Sequence, residues 1–447
     1  MYSFPLQRKR RENLMNVMKD GLIYIRSKDE IIRNGDVPVK YRQSSNFLYL
    51  TAIEEINYHL ILDPKNNQGH LFIPDIDPMY LVWVGRMFNT QEAKKKYGAK
   101  QVHFYSDFDK VVNKLKKKYK KIYTMPQDKA SIKKQGGSHK IDTVTLKKTL
   151  DFMRAFKDSE GIKLMKQASQ INVKAFTEAM STIKPGIYEY QVQALMEKVY
   201  RDNGAIHNSF QTIAAVGRNP AVLHYTTCYD KGKNGDLILL DAGCECHGYA
   251  SDITRTFPVG KTFSKTQQAI YEATLDVNKQ CIKASKPGAA FQNIHEQACR
   301  LIIEHLKDLR IINNLDSEEL YQNDIHRMFF PHGLGHLLGL DVHDVGAGVV
   351  PCSTKPHKHM RSSVDLLPNM VVTIEPGIYF LEVYFKSKKE RHKYKKFINW
   401  SVADKYYNVG GVRIEDDLLI TKTGSINMTK KLVKEVKDIE LLRKKAF

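Results

Sequence analysis

The chain has 447 residues, of which 42% are apolar, and this length and composition are typical of a soluble globular protein with two or three domains. The 70 lysines and arginines outnumber the 49 acidic residues, which gives a formal charge of +21. No segment approaches the roughly 18 to 20 consecutive apolar residues of a membrane-spanning helix, which excludes a membrane partner. The basic start lacks the apolar core of a secretory signal, so we interpret it as a first helix and expect a cytoplasmic location.

The positive charge raises nucleic acid as a partner, but its distribution argues against one. Lysines recur along amphipathic stretches such as Lys114–Lys121, and a dense basic run extends from Lys386 to Lys396. Neither is accompanied by a zinc-finger or RNA-binding aromatic signature. We therefore interpret the lysines as solvated faces, with the second run as a solvated loop, and expect no nucleic-acid site.

The N-terminal third carries short apolar segments separated by turn residues and interleaved with lysine-rich helical stretches. These segments are Phe47–Leu50, His59–Leu62, His70–Ile73 and Leu81–Val84. Such alternation predicts an α/β domain. From about residue 158 the pattern changes to long helical periodicity, as in Glu160–Phe176, followed by strands. We place a domain boundary near residue 155 and expect one domain over residues 1–155 and a second over 156–447.

The second domain repeats its own pattern. A helical stretch followed by Lys184–Gly186 recurs later as another helical stretch followed by Lys286–Gly288, both with the sequence Lys-Pro-Gly. Further along each copy, an apolar strand ends on an acid, at Asp241 in the first and at Glu375 in the second. This self-similarity predicts two related halves that each contribute a carboxylate to a shared centre. Chance recurrence of Pro-Gly turns is the alternative.

A second acid, Asp252, follows Asp241 after a turn-rich segment around Cys246–Gly248. If the turn is centred there, the two acids face each other across an antiparallel pair. Directly opposed residues place their Cβ atoms roughly 4.5–5.5 Å apart, where like charges repel. We therefore expect a positive group between them.

The segment from Phe330 to Gly346 contains His332, His336 and His343, a density of histidine that core packing rarely needs. The first two have the spacing of a helical zinc site, but glycines at 333 and 335 favour a loop or a bent strand instead. Two further strand patterns carry an acid, Glu375 and Glu415. An exposed surface acid explains any single one of them equally well.

Taken together, Asp241, Asp252, Glu375 and Glu415 with one histidine form a set rich in carboxylates and free of thiolates. Two unit charges 4 Å apart at an effective dielectric near 20 interact by about 4 kcal/mol, so several buried acids would repel one another strongly. Two divalent cations would cancel four carboxylates. Oxygen ligands with one imidazole suit Mn²⁺, Co²⁺ or Zn²⁺, and a pair of such ions roughly 3.5–4 Å apart activates water for hydrolysis.

Five motifs carry a resemblance to a known family. DAG with Asp241, SDITRTFPV with Asp252, PHGLGH followed by DVHDVG, TIEPGIYF and GGVRIEDD resemble, in order and spacing, the pita-bread metallopeptidases, which include aminopeptidase P, Xaa-Pro dipeptidase (prolidase) and methionine aminopeptidase. The N-terminal stretch Tyr41–Leu50 resembles theirs as well. The resemblance implies an α/β (α+β) fold with a smaller N-terminal α/β domain, a C-terminal pita-bread domain with an internal pseudo-twofold repeat, and a homodimer.

The resemblance also implies a dinuclear site, usually with manganese. By that match Asp241 and Asp252 bind one ion, Asp252 joins His336 and Glu375 at the other, and Glu415 bridges the two.

Further roles follow from the same match. His224 and His343 would contact the substrate and stabilise the tetrahedral intermediate, with His332 as their neighbour at the substrate. Glu375 would pass a proton toward the leaving nitrogen, and Arg413 would hydrogen-bond around the site.

Within the family, two features favour a dipeptidase that cleaves before a C-terminal proline. The stretch Leu381–Val409 resembles an insertion of eukaryotic-type prolidases, and Arg361 stands where those enzymes carry an arginine for the free carboxylate of the substrate. The first alternative is aminopeptidase P, which acts on longer Xaa-Pro peptides. An alternative of another class is a non-catalytic pita-bread module with nucleic-acid affinity, which the filled set of ligand positions disfavours.

Overall fold

The computed structural model describes residues 4–357 and 359–447. The chain divides into two compact units, one up to Arg154 and one from Ala155 onward. Each unit has a buried apolar core of its own. Among the described residues no helix combines the length and the hydropathy needed to cross a membrane.

The first unit is built on a mixed sheet flanked by helices. Its strands are β1 (Leu22–Arg26), β2 (Ile32–Asn34), β3 (Val37–Pro38), β4 (His59–Asp63), β5 (Gln68–Ile73), β6 (Gln101–Phe104), β7 (Lys121–Thr124) and β8 (Lys140–Asp142). Its helices are α1 (Phe4–Val17), α2 (Ser45–Thr51), α3 (Leu81–Val84), α4 (Thr90–Tyr97), α5 (Phe108–Lys116), α6 (Lys129–Gly136) and α7 (Thr145–Ala155), the last of which reaches the unit boundary. The main sheet has the order β6-β5-β4-β1-β7-β8, with parallel pairs at both ends and antiparallel pairs in the middle.

Of the four apolar segments noted in this unit, two are strands and two are helices. His59–Leu62 and His70–Ile73 lie in β4 and β5, whereas Phe47–Leu50 lies in α2 and Leu81–Val84 forms α3. A short apolar run has no periodicity that separates a buried strand from a buried helical turn. The α3 segment is not buried, and the side chain of Trp83 is 82% exposed.

The second unit combines long helices with short strands. Its helices are α8 (Ser159–Thr182), α9 (Glu189–Asp202), α10 (Lys265–Ala284), α11 (Phe291–Asp308), α12 (Ser317–Gln322), α13 (Glu382–Phe385), α14 (Lys388–Lys393), α15 (Trp400–Ala403) and α16 (Val436–Arg443). Its strands are β9 (His207–Asn208), β10 (Ile213–Val216), β11 (Leu237–Ala242), β12 (Cys244–Cys246), β13 (Tyr249–Ala250), β14 (Ile253–Pro258), β15 (Val371–Ile374), β16 (Gly377–Tyr379), β17 (Gly411–Arg413), β18 (Asp416–Ile420) and β19 (Ser425–Asn427). The two main sheets are β10-β11-β14 and β15-β18-β19.

The internal repeat appears as two equivalent helix pairs. Helices α8 and α9 pack together, as do α10 and α11, and a Lys-Pro-Gly turn joins each pair. Gly186 and Gly288 have φ angles of +100° and +86°, a region that suits glycine because it has no Cβ. Each glycine also donates its backbone N–H to a distant residue that follows an isolated β-bridge, to Gly232 O at 2.8 Å and to Leu366 O at 2.7 Å. The two halves therefore share their connectivity as well as their helices.

The stretch Leu381–Val409 folds into the short helices α13, α14 and α15 and a final 3₁₀ turn. The basic run, expected as a solvated loop, contains α14, although its lysines are exposed. Arg391 ties this helix down, since its guanidinium donates to both carboxylate oxygens of Asp404, at 2.7 and 2.9 Å, and lies over the ring of Trp400. These contacts, with the Ser387 side chain that caps the start of α14, stabilise a helix in a segment whose composition suggests a loop.

Candidate metal centre

Asp241 lies near the end of β11, the middle strand of its sheet, where the preceding apolar side chains are buried. The hairpin turn falls at His247 and Gly248, as expected, but the residue opposite Asp241 is Thr254. Asp252 lies two residues along, because the register of β12 and β13 continues unbroken into β11 and β14. The prediction that the two acids are directly opposed is therefore wrong. They are diagonal neighbours, a relation that separates residues by about 7–8 Å in regular sheets.

The segment from His332 to His336 forms a loop that runs beside β15, as its glycines predicted. Leu334 O accepts the N–H of Glu375 at 2.8 Å, and His336 O accepts the N–H of Thr373 at 2.9 Å. The N–H of His336 is donated in turn to the Thr373 hydroxyl at 3.0 Å. These bonds bring His336 next to Glu375, which directly follows β15.

Gly335 is the residue that allows this close approach. A Cβ at this position would lie 2.1 Å from the carbonyl oxygen of Thr373, so a larger residue must push the loop away from β15. If His336 binds a metal ion, as the sequence predicts, Gly335→Ala should lower metal affinity about 10-fold or more, because His336 moves with the loop and disturbing the surroundings of a ligand has an effect of that size. Metal titration calorimetry measures this. Gly424→Ala is the matched control, since its Cβ meets open space. An equal loss of metal affinity in both variants would contradict this role of Gly335.

Arg413 and Glu415 approach Asp241 from β17 and from the residues that follow it. The guanidinium donates to Asp241 Oδ2 at 2.6 Å and to the hydroxyl of Tyr379 at 2.8 Å. Glu415 Oε2 accepts the hydroxyl proton of Thr254 at 2.7 Å, and the same hydroxyl accepts from Arg413 Nε at 3.2 Å. Arg413 thus places a positive charge on Asp241, although no hydrogen bond joins it to Asp252 among the described residues, and Thr254 links Arg413 to Glu415.

The ring of His336 points its Nε2 at the acids. Its Nδ1 lies 3.0 Å from the carbonyl oxygen of Leu337, which can only accept, so Nδ1 carries the proton. The free Nε2 lies 3.5 Å from Asp252 Oδ2 and 3.6 Å from Glu375 Oε1. Asp252, His336 and Glu415 each offer one ligand atom, and these atoms lie within 4.8 Å of one another. A second nitrogen fixed by a backbone carbonyl is the usual setting of a metal-ligating histidine.

The electrostatics of the cluster favour a bound cation. Burial raises the pKa of Asp252 well above its usual range, and the charges of Asp241 and Asp417 raise it further. The pKa of Glu415 is raised in the same way, first by burial and then by Asp252 and Glu375. Burial also raises the pKa of Glu375. Positive charge among these acids would allow all of them to remain ionised near neutral pH.

Two carboxylate oxygens indicate whether metal ions fit here. Asp241 Oδ1 and Asp252 Oδ1 are buried and have no hydrogen-bond partner among the described residues, although buried polar atoms nearly always have one. A buried set of carboxylate oxygens and one imidazole nitrogen matches the preference of divalent ions such as Mn²⁺. The residues present therefore fit divalent metal ions.

All the site residues predicted from the sequence line one pocket of about 650 Å³ in the second unit. They are His224, Asp241, Asp252, His332, His336, His343, Arg361, Glu375, Arg413 and Glu415. The acids, Arg413 and His336 are the more buried members, whereas His224, His343 and Arg361 are exposed to the pocket opening. The pocket thus has a charged inner end and a wall that a ligand can reach.

Two histidines of the pocket, His332 and His343, are kept neutral. Burial and the charge of Arg413 lower the pKa of His332 to about 3, and its Nε2 lies 2.9 Å from the Tyr379 hydroxyl. The ring of His343 stands at 89° to the ring of His336 with 4.4 Å between centroids, and burial followed by His336 lowers its pKa to about 3 as well. A neutral imidazole carries one N–H donor and one acceptor. His332 donates its Nδ1–H to the carbonyl oxygen of Gly333 at 2.8 Å, whereas His343 can donate to a carbonyl group in the pocket.

Sequence reasoning missed three residues that organise the site: Thr254, Tyr379 and Asp417. Tyr379 joins Arg413 to His332, and Thr254 joins Arg413 to Glu415. Asp417 is fully buried and accepts the backbone N–H of Asp252 at 3.2 Å. A hydroxyl residue inside a strand gives no signal of its own, but three consecutive acids at 415–417 within a strand pattern are a usable one.

Comparison with known proteins supports the geometry. Residues 163–422 match the model of metallopeptidase family M24, and residues 7–123 match that of the aminopeptidase P N-terminal domain. A probable Xaa-Pro aminopeptidase of Tuber melanosporum is 34% identical over 433 residues, which cover 96% of this chain and 93% of the relative. One from Verticillium alfalfae is also 34% identical, over 94% of this chain and 92% of the relative.

Solved structures agree with this result. The aminopeptidase PepP of Pseudomonas aeruginosa superimposes with a TM-score of 0.89 at 31% identity, over 100% of this chain and 99% of that one. Escherichia coli aminopeptidase P with the inhibitor Pro-Leu gives a TM-score of 0.88 at 31% identity with the same coverage. These names match the aminopeptidase alternative and not the dipeptidase that the sequence favoured. The chain belongs to metallopeptidase family M24, and its fold is that of aminopeptidase P.

Proposed function

We propose that this protein is a metal-dependent Xaa-Pro aminopeptidase, which removes the N-terminal residue from peptides whose second residue is proline. The observation that carries the proposal is the convergence of four carboxylates and His336 Nε2 at the inner end of one pocket, with two carboxylate oxygens left without partners. The name shared by the relatives supports the choice of substrate.

The metal ligands in this proposal are Asp241, Asp252, His336, Glu375 and Glu415. Bound there, two divalent ions would activate a water molecule and polarise the carbonyl group of the scissile bond. Mn²⁺ fits the oxygen-rich donor set, and Co²⁺ or Zn²⁺ could replace it. Arg413 holds Asp241 by Oδ2 and so leaves Oδ1 available.

Residues of the chain itself would then bind the substrate and move protons. Glu375 would take a proton from the attacking water and deliver it to the proline nitrogen as the bond breaks. His224 and His343 lie in the pocket wall and would donate hydrogen bonds to the substrate carbonyl as negative charge develops on its oxygen. His332 would neighbour the substrate from its place beside Tyr379.

The chemistry of proline explains why such a site is useful. A bond to proline is a tertiary amide without an N–H, so an enzyme that grips the peptide backbone through that donor loses a contact. A site that acts on the carbonyl group does not need the N–H. The wall of this pocket includes the apolar side chains of Phe210, Ile213 and Leu223, against which a pyrrolidine ring could pack.

The substrate test uses protein that is stripped with a chelator and reloaded with Mn²⁺, Co²⁺ or Zn²⁺. We expect the tripeptide Ala-Pro-Ala to be cleaved faster than the dipeptide Ala-Pro, with little cleavage of Ala-Ala-Ala and none by the stripped protein. Chromatography of the released free alanine gives the rates for the three peptides with the reloaded protein and the rate with the stripped protein.

Two outcomes would change the proposal. Faster cleavage of the dipeptide would assign the dipeptidase activity and would point to Arg361 as the carboxylate-binding residue. No cleavage with any of the three metals would remove the peptidase proposal altogether.

A further inference from the structure

The loop from Gly217 to Asp230 supplies part of the pocket wall. Leu223, His224 and Thr226 all line the pocket. Apart from a short 3₁₀ turn at Asn219–Ala221, this loop has no regular secondary structure. Its conformation must therefore be maintained by contacts outside the loop.

One buried carboxylate, that of Glu189, accepts hydrogen bonds from the residue before the loop and from three positions within it. Glu189 is the first residue of α9 and is fully buried. Four donors reach its two oxygens, each at 2.8–2.9 Å: the backbone N–H groups of Val216 and Asp230, the Asn219 side-chain amide and the Tyr225 hydroxyl. The donors come from the strand end before the loop, from its first turn, from its middle and from its last residue.

A carboxylate is the group suited to this task. Its two oxygens accept up to about four hydrogen bonds, and bonds to an ionised acceptor are stronger than neutral ones. The position of Glu189 at the N-terminus of α9 also favours a negative charge. Glutamine has the same shape but only one oxygen, so its amide nitrogen would face two donors.

The contact with Tyr225 leads directly to the pocket. Its hydroxyl is bonded to Glu189 at 2.8 Å, while the preceding residue, His224, lines the pocket. Because the two residues are adjacent in the chain, fixing Tyr225 limits the positions that the ring of His224 can take. The geometry points to Glu189 as a positioning residue that holds His224 toward the substrate by bonding the start, middle and end of its loop. This inference rests on the proposed function only for the role of His224.

The first test compares Tyr225→Phe with Tyr190→Phe, a control on an exposed residue of α9. Tyr225→Phe removes one bond to Glu189 and leaves the other three. We expect it to lower kcat by about 10-fold, the effect of losing a hydrogen bond to a charged group, with little change in KM, and the control to keep wild-type values. An unchanged kcat in Tyr225→Phe would overturn the inference.

A double-mutant cycle separates positioning from a general effect on folding. His224→Ala is combined with Tyr225→Phe, and the effect of the second change is measured in both backgrounds. Because Glu189 acts through His224, the loss from Tyr225→Phe should nearly vanish when His224 is absent. An undiminished loss in the His224→Ala background would show that the tyrosine acts elsewhere and would overturn the inference.

Hydrogen–deuterium exchange gives a readout that needs no activity. In Glu189→Gln we expect faster exchange in peptides covering residues 212–232, where one backbone amide loses its acceptor and the other keeps only a neutral amide oxygen, and unchanged exchange in β15. If exchange is faster in Glu189→Gln but the wild type has no peptidase activity, the role of Glu189 in holding the loop stands and the proposed function falls. If exchange is unchanged in Glu189→Gln and the wild type is active, the role of Glu189 falls and the proposed function stands.

Discussion

Asp252→Asn should abolish peptidase activity while leaving the fold intact. Asp252 contributes the carboxylate nearest to His336, and asparagine has the same shape without the charge. A bound metal supplies several kcal/mol of transition-state stabilisation, so we expect a loss of at least about 10³-fold in kcat/KM. Without metal the variant should melt at or above the temperature of the wild type, because burial and the neighbouring acids disfavour a charge at this position.

Thermal melts with and without Mn²⁺ and calorimetric titration check this result. The wild type should gain melting temperature with Mn²⁺, and Asp252→Asn should gain little, since ligand binding stabilises only a protein that binds. Asp438→Asn is the matched control, because this aspartate is exposed on α16. The placement of the metal centre would be contradicted by full activity in Asp252→Asn. It would also be contradicted if Mn²⁺ raised the melting temperatures of the wild type and Asp252→Asn equally.

Lys157→Met should lower the stability of the fold strongly. Lys157 Nζ lies 3.1 Å from Asp344 Oδ2, and each of these side chains is only 1% exposed. Asp344 directly follows His343 and donates its backbone N–H to Leu337 O at 2.8 Å, so this ion pair fixes the loop that carries two site histidines. Removing one partner of a buried pair leaves a buried charge and costs about 3–5 kcal/mol. The melting temperature should fall by roughly 10 °C.

The double variant Lys157→Met with Asp344→Leu shows whether the loss of stability comes from the uncompensated charge of Asp344 or from lost packing. Replacing both members of a buried ion pair by apolar residues is often close to neutral, so most of the stability should return. Lys166→Met, on the exposed face of α8, should melt like the wild type. If the double variant is as unstable as Lys157→Met, packing and not the buried charge explains the loss.

The fold was predictable where a long pattern carried the signal. The helical periodicity of Glu160–Phe176 corresponds to α8, and the two Lys-Pro-Gly turns identified equivalent helix pairs. The glycines at 333 and 335 correctly excluded a helix at His332–His336. Short runs were not decisive, because Phe47–Leu50 and Leu81–Val84 contain too few residues for periodicity to choose between strand and helix.

The candidate site was predictable because each of its residues stands in a recognisable local motif. All ten predicted residues line one pocket, although they come from distant parts of the chain. Glu189, Thr254 and Tyr379 were not predicted, since a single carboxyl or hydroxyl group in an ordinary helix or strand has no local pattern. Their partners are distant in sequence, and only folding brings the pairs together.

The sequence by itself determined which chemical groups are available: four carboxylates that end or follow apolar strands, a histidine set spaced by glycines, and a repeated helix pair. These are local properties, because strand patterns, turns and motif spacing are written within short stretches of chain. Tertiary structure alone decided that Asp241 faces Thr254 and not Asp252, that Arg413 reaches Asp241, and that Glu189 holds the loop of His224. The register of β11 and β14 follows from the exact position of the turn, which the sequence located only approximately, and long-range hydrogen bonds depend on how distant segments pack.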